Sequence, residues 1–187
     1  MKRRKIRSLS VSEIGMGCMG VSHGYGQVPE AGYAEEAIRA AFDYGCNFFD
    51  TAEGYGKELF FPGHNEEIVG RAVKGFRHDA VIATKLHIVP ETVEDCGSVY
   101  AAVRCHLERS LNNLQTDYVD LYYLHRINME VDYLEVAHAM GRLMHEGLIR
   151  EWGLSAVDKA QLEAVHAVTP VGAVQDIYGT GTRMITL

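Results

Sequence analysis

A chain of 187 residues, 47% hydrophobic and 23% charged, has the makeup of one soluble globular domain large enough to bury a sizeable core. Its net charge of −7 argues against a nucleic-acid partner, which needs a concentrated positive field, and no run approaches the ~18 consecutive apolar residues of a membrane span. Cys18, Cys46, Cys96 and Cys105 show neither CxxC nor metal-ligand spacing, and the nine histidines form no HxH or HExxH pair. Reduced thiols in a cytoplasmic protein without a metal site are expected.

The chain opens on a basic cluster, Lys2, Arg3, Arg4, Lys5 and Arg7, with no aromatic stacking platform beside it, and reads as a solvated terminal strand. No apolar stretch follows Arg3-Arg4, so an export signal is not expected. Lys5–Ser8 and Ser10–Glu13 form the arms of a hairpin, and Glu13–Cys18 reads as a first buried strand. A long Gly-rich loop over 21–32 follows, with Tyr25 as a residue that would line a ligand site. Beyond it, helical spacing covers Tyr33–Tyr44, Glu66–Lys74, Val99–Leu114, Leu134–Glu146 and Lys159–Ala167. Strand-type runs cover Asn47–Thr51, Ala80–Leu86, Tyr118–His125, Glu151–Ser155 and Gly172–Tyr178.

Six strands alternating with five helices predict a parallel sheet with helical crossovers, either an open doubly wound sheet or a (β/α)8 barrel. Gly15, Gly17 and Gly20 match GxGxxG, but a dinucleotide fingerprint needs a helix starting at the third glycine, and a helix-poor stretch follows instead. Asp50, Lys85, His125 and Ser155 fall at the carboxyl ends of four different strands, and in a barrel those ends converge on one mouth. The expected fold is therefore α/β, an incomplete TIM-type (β/α)8 barrel with about six of its eight strands and an N-terminal β-hairpin.

The mouth residues suit carbonyl reduction. Hydride addition to C=O leaves an alkoxide, so a proton must reach the oxygen as hydride reaches carbon. Tyr55 is the candidate donor, Lys85 supplies the positive charge a phenol needs to act as an acid, Asp50 keeps that lysine charged, and His125 orients the carbonyl. Two other classes stay open: a non-catalytic relic or binding subunit that keeps the fold, and a Schiff-base aldolase working through Lys85. A carboxylate at Asp50 weighs against the aldolase, because it favours the charged lysine.

Asn47-Phe-Phe-Asp50-Thr-Ala-Glu-Gly-Tyr55-Gly resembles the signature of the aldo-keto reductase family. Val81–Lys85 resembles the family's lysine strand, and Asp117–Arg126 its histidine strand. The segment from Gly141 to Ser155 resembles the approach to its cofactor-amide strand. The opening glycine run and residues 64–67 are most similar to the bacterial branch near pyridoxal reductases and potassium-channel β subunits. The resemblance implies an NAD(P)H-dependent reductase of aldehydes and ketones, with Tyr55 as donor and Asp50, Lys85 and His125 in support. It further implies that Asp50, Ser155 and Gln175 bind the cofactor, Ser155 and Gln175 through the nicotinamide carboxamide. Many members carry Asn after that serine, where this chain has Ala156. Residues 1–178 follow the family pattern and 179–187 do not, so a C-terminally truncated barrel is expected. Its unpaired edges favour self-association, and it lacks the segment that selects NADPH over NADH. NADPH is the cofactor the family implies, with NADH not excluded, and the affinity of the chain alone is expected to be weak.

Overall fold

The computed structural model describes residues 1–23 and 26–176. Strands β1 (Arg3–Ile6) and β2 (Leu9–Ser12) form an antiparallel hairpin, closed by Arg7 in the left-handed region at φ 48°. Then come β3 (Met16–Gly17), a 3-10 turn over Met19–Val21, α1 (Ala31–Asp43), β4 (Phe48–Asp50), α2 (His64–Val73) and β5 (Val81–Leu86). The chain continues through α3 (Pro90–Cys96), α4 (Val99–Leu114), β6 (Val119–Leu124), α5 (Tyr133–His145), β7 (Ile149–Ser155), α6 (Lys159–Val168) and β8 (Ala173–Gln175).

Three of the helices, α4, α5 and α6, begin where a side chain satisfies their free N–H groups. Ser98 accepts from the Ala101 N–H, Asp132 from those of Leu134 and Glu135, and Asp158 forms a capping box with Gln161. Each strand pairs in parallel with the next in sequence, in the order β3-β4-β5-β6-β7-β8. A doubly wound sheet reverses its strand order at a switch point, and this one does not. The sheet is six successive strands of a (β/α)8 barrel, curled with its helices outside. No α-helix starts at Gly20, so the GxGxxG glycines are not a dinucleotide fold.

Because side chains alternate along a strand, the sheet divides the core in two. Phe49, Ile82, Leu86, Tyr122, Leu124, Trp152 and Leu154 face outward and pack under the helices. Val81, Ala83, Leu121 and Tyr123 face the barrel interior, where Leu9 and Val11 of the hairpin join them. The hairpin therefore plugs the amino-terminal end of the barrel. Buried Asn47 fastens it to β4, accepting from the Ser12 N–H at 2.7 Å and donating to the Ser10 carbonyl at 3.1 Å. Glu151 fastens it to β7 through the N–H and hydroxyl of Ser8 at 3.2 and 2.7 Å.

The strand predicted over 13–18 is shorter than expected. Only Met16 and Gly17 pair with β4, and Ile14 stands 65% exposed. The last predicted strand is observed as Ala173–Gln175; Ile177, Tyr178, the tail over 179–187 and Tyr25 lie outside the described residues.

Helices α2 and α4 cross at Gly70. A Cβ built there would sit 2.6–2.8 Å from the backbone of Leu114, which cannot swing aside as a side chain would. Gly70→Ala is expected to cost about 2 kcal/mol, in the range of overpacked contacts, and urea denaturation of both chains measures it. Equal midpoints would show that the helices separate freely.

Candidate active site

The alternation that builds the two cores also sets the polar site. Asp50, Lys85, Ser155 and Gln175 share the inward-facing register of Val81, Ala83 and Ala173, and each stands at or next to the last residue of its strand. His125 follows β6 directly, its N–H donating to the Leu86 carbonyl at 2.9 Å. Tyr55 sits in the turn after β4. Asp50, Tyr55, His125, Ser155 and Gln175 line a cavity of about 380 Å³ together with Gly17, Met19, Arg126, Ala156 and Asp176, and Lys85 lies buried behind Asp50 and Tyr55.

Lys85 is the centre. Its side chain is fully buried, yet Nζ meets a carboxylate oxygen of Asp50, the Thr51 carbonyl at 2.7 Å and the Tyr55 hydroxyl at 3.3 Å. An ammonium has three N–H donors, and three oxygens receive them. Two of those oxygens can only accept, so the surroundings suit the cation. A lysine held this way is poorly placed to attack a carbonyl, which needs the neutral amine.

Asp50 uses its second oxygen to accept from Gln175 Nε2 at 3.2 Å, linking β4 to β8 across the mouth. Ser155 Oγ accepts from Arg126 Nη1 at 2.8 Å. The rings of Tyr55 and His125 meet edge to face with centroids 5.7 Å apart, and His23 stacks parallel to Tyr55 at 6.5 Å. Burial first, then the charges of Lys85, Arg126 and His87, push the His125 imidazole down to about 4. At neutral pH it is an uncharged hydrogen-bonding group.

Two supports escape the sequence reading. Asn65 is fully buried under the loops: Thr51 Oγ1 donates to its Oδ1 at 2.6 Å, and its Nδ2 donates to the Cys18 carbonyl at 2.9 Å. Glu53 braces the loop that carries Tyr55. Its N–H donates to the Lys85 carbonyl at 3.2 Å, one carboxylate oxygen accepts from the His87 N–H at 2.7 Å, and the other meets His106 Nδ1 at 2.7 Å. Glu53 could have been found by its place inside the Asp50–Tyr55 segment; Asn65 and His106 carry no local signal.

A singly wound barrel sheet with its titratable groups gathered at the strands' carboxyl ends defines the class of this molecule. The aldo/keto reductase family model matches residues 13–180, and the chain belongs to that family. A probable aldo-keto reductase 1 of Glycine max is 34% identical over 183 residues, covering 96% of this chain and 51% of the relative. The crystal structure of the thermostable aldo-keto reductase Tm1743 with the inhibitor epalrestat superposes with TM-score 0.81 at 30% identity, over 95% of this chain and 63% of that one. An aldo/keto reductase from Klebsiella pneumoniae in complex with NADP and acetate gives TM-score 0.68 at 34% identity, over 83% and 49%. The chain thus spans about half the length of the curated relatives it matches. Among the described residues no helix is long and apolar enough to cross a membrane, and no group of His, Cys, Asp and Glu could hold a metal.

The depressed His125 value gives a pH signature. Above its ordinary value of 6.5 the group is neutral in both states and contributes nothing. Between pH 6.5 and 4 the unfolded chain takes the proton while the folded chain does not, so stability falls with pH in that window. Urea denaturation across the window should show the parent losing stability relative to His125→Gln, and the imidazole should titrate near 4 by NMR. A titration at the ordinary value with parallel stability curves would contradict the burial of this ring.

Proposed function

We propose that this site reduces aldehydes or ketones to alcohols with NADPH, in the cytoplasm. The observation that carries the reading is the placement of the Tyr55 hydroxyl on a buried ammonium that Asp50 and the Thr51 carbonyl hold in place. Tyr55 gives its proton to the substrate oxygen, and the Lys85 ammonium, already hydrogen-bonded to the phenol oxygen, stabilises the negative charge left there. Asp50 balances the lysine so that the charge can remain buried. Neutral His125, beside Tyr55, hydrogen-bonds the substrate carbonyl and fixes its direction. Residues 1–178 carry this role and 179–187 are a tail outside it.

The nicotinamide group supplies the hydride when bound. The residues present fit its carboxamide: Ser155 and Gln175 lie side by side in register at the cavity, and Gln175 spends its N–H on Asp50, leaving its carbonyl oxygen as an acceptor. The NADP in the Klebsiella relative supports a phosphorylated dinucleotide over NADH. The substrate is a small carbonyl compound, consistent with a cavity of about 380 Å³.

Loss of NADPH absorbance with a panel of aldehydes, at saturating cofactor, tests the reading. Tyr55→Phe should lower turnover by ~10²-fold or more, the usual contribution of a general acid, with cofactor affinity nearly unchanged. Turnover within a few-fold of the parent would remove Tyr55 from the role. A parent chain that reduces no aldehyde would overturn the reading itself.

Among the described residues β3 and β8 end the sheet with unpaired edges, and an apolar groove beside β8 is lined by Leu162, Ala167, Val171 and Val174. Val174 is 40% exposed. These edges carry self-association. Light scattering on the eluted chain should return more than one chain mass; a concentration-independent monomer would refute it.

A further inference from the structure

Two cations stand at the mouth, and the structure treats them differently. Lys85 is fully buried and balanced by Asp50. Arg126, one residue past His125, is exposed, and it lines the cavity beside Tyr55, His125 and Ser155. Its Nη1 donates to the His125 carbonyl at 2.6 Å and to Ser155 Oγ at 2.8 Å. Elsewhere arginines end on carboxylates: Arg71 on Glu35, Arg77 and Arg150 on Asp120, and Arg104 on Glu108 and Glu146. Both oxygens that hold Arg126 are neutral, so they orient the guanidinium without cancelling its charge.

Those two bonds use the two N–H groups of Nη1. A guanidinium carries five N–H donors, and the three on Nε and Nη2 are used by neither bond. Its planar fork matches the two oxygens of a carboxylate, and a guanidinium already pinned at one nitrogen loses less freedom when it binds one. The acidic groups on the cavity wall are Asp50, which is bound to Lys85 and Gln175, and Asp176, the residue after Gln175.

From this arrangement we infer that the site prefers carbonyl substrates that carry a carboxylate, which Arg126 binds while the carbonyl meets Tyr55 and His125. The inference rests on the reductase reading above and adds the substrate class to it. His125 and Arg126 are adjacent in sequence and line one cavity. A molecule whose carbonyl is held by the imidazole therefore has its neighbouring atoms within reach of the guanidinium. The cavity is open to solvent at an exposed arginine, so added salt weakens the attraction.

The experiment compares 3- and 4-carboxybenzaldehyde each with its own amide, which keeps the shape and removes the charge, at saturating NADPH. In the parent chain at least one acid should exceed its amide in kcat/KM by about 10-fold or more, the usual weight of a hydrogen bond to a charged group. In Arg126→Gln the ratio should fall to near one, and in Arg126→Lys it should be intermediate, because lysine keeps the charge without the fork. Acid and amide are compared within one protein, so a general loss of activity cancels. Calorimetric titration with 3- and 4-(hydroxymethyl)benzoate, the product alcohols, decides the same point without turnover: binding to the parent and not to Arg126→Gln is expected, with circular dichroism confirming that the variant is folded. Amides reduced as well as acids by the parent, or a ratio that survives in Arg126→Gln, would overturn the inference and leave the reductase reading standing. Product alcohols that bind neither chain, or both equally, would overturn it too, as would a KM for NADPH that rises in the variant with the ratio unchanged. A parent that binds these carboxylates through Arg126 yet reduces no aldehyde would instead sink the reductase reading.

Discussion

A positive charge without access to water organises this molecule. Burying an unpaired ammonium costs far more than a domain's net stability, so Lys85 forces its surroundings to supply oxygens. The nearest are the carboxylate on the adjacent strand, the carbonyl one residue beyond it and the phenol of the following turn. All three lie within the six residues from Asp50 to Tyr55. The loop after β4 must therefore fold back over the end of β5, and it is clamped there by the Thr51 N–H on the Ala83 carbonyl at 2.8 Å and the Glu53 N–H on that of Lys85. Removing one partner would leave the others facing an uncompensated charge, the costly way to break a buried pair.

The same demand explains why the two ends of the barrel differ. At the amino-terminal end the interior is apolar and sealed by Leu9 and Val11. Higher in the barrel, at the level of Lys85, Gly153 is small because Tyr123 fills the space; a Cβ at 153 would stand 2.5 Å from the tyrosine ring. Outside the sheet another buried carboxylate, Asp120, pairs with Arg77 at 2.8 Å and Arg150 at 3.0 Å, and both guanidinium groups stack on Tyr118. Those charges are paired on the outer face of the sheet, away from the mouth. At the carboxyl ends, by contrast, polar groups gather around open volume.

How much of this was legible depended on whether a residue reports its neighbours through local pattern. The strands over 81–86 and 119–124 read as short, largely apolar runs because they are buried on both faces, and the helix Val99–Leu114 follows from its period because it buries one face. Asp50, Lys85, His125 and Ser155 were legible because strand ends in a barrel meet whatever the loop lengths. Helix α3 was missed since none of its residues is fully buried, so it leaves no hydrophobic period, and Pro90 at its start reads equally as a loop. Asn65 and His106 were missed for another reason. Their partners lie 14 to 53 residues away in sequence, and only the folded barrel makes them neighbours.

Ala156 shows the same logic at a single residue. It lies in the left-handed region at φ 52°, where a Cβ costs roughly 1 kcal/mol or more and Asn is better tolerated. The Asn that the family resemblance implies at this point would offer a better-tolerated backbone residue and a side-chain amide, and Ala156 offers neither. The conformation nevertheless holds, because the Ala156 N–H donates to the Gln175 carbonyl at 3.0 Å and continues the β7–β8 ladder past its last pair. Next to it the Arg126 guanidinium, on Ser155 Oγ, lines the same cavity. The shape of the mouth at this point is thus set by strand pairing rather than by the side chain that occupies it.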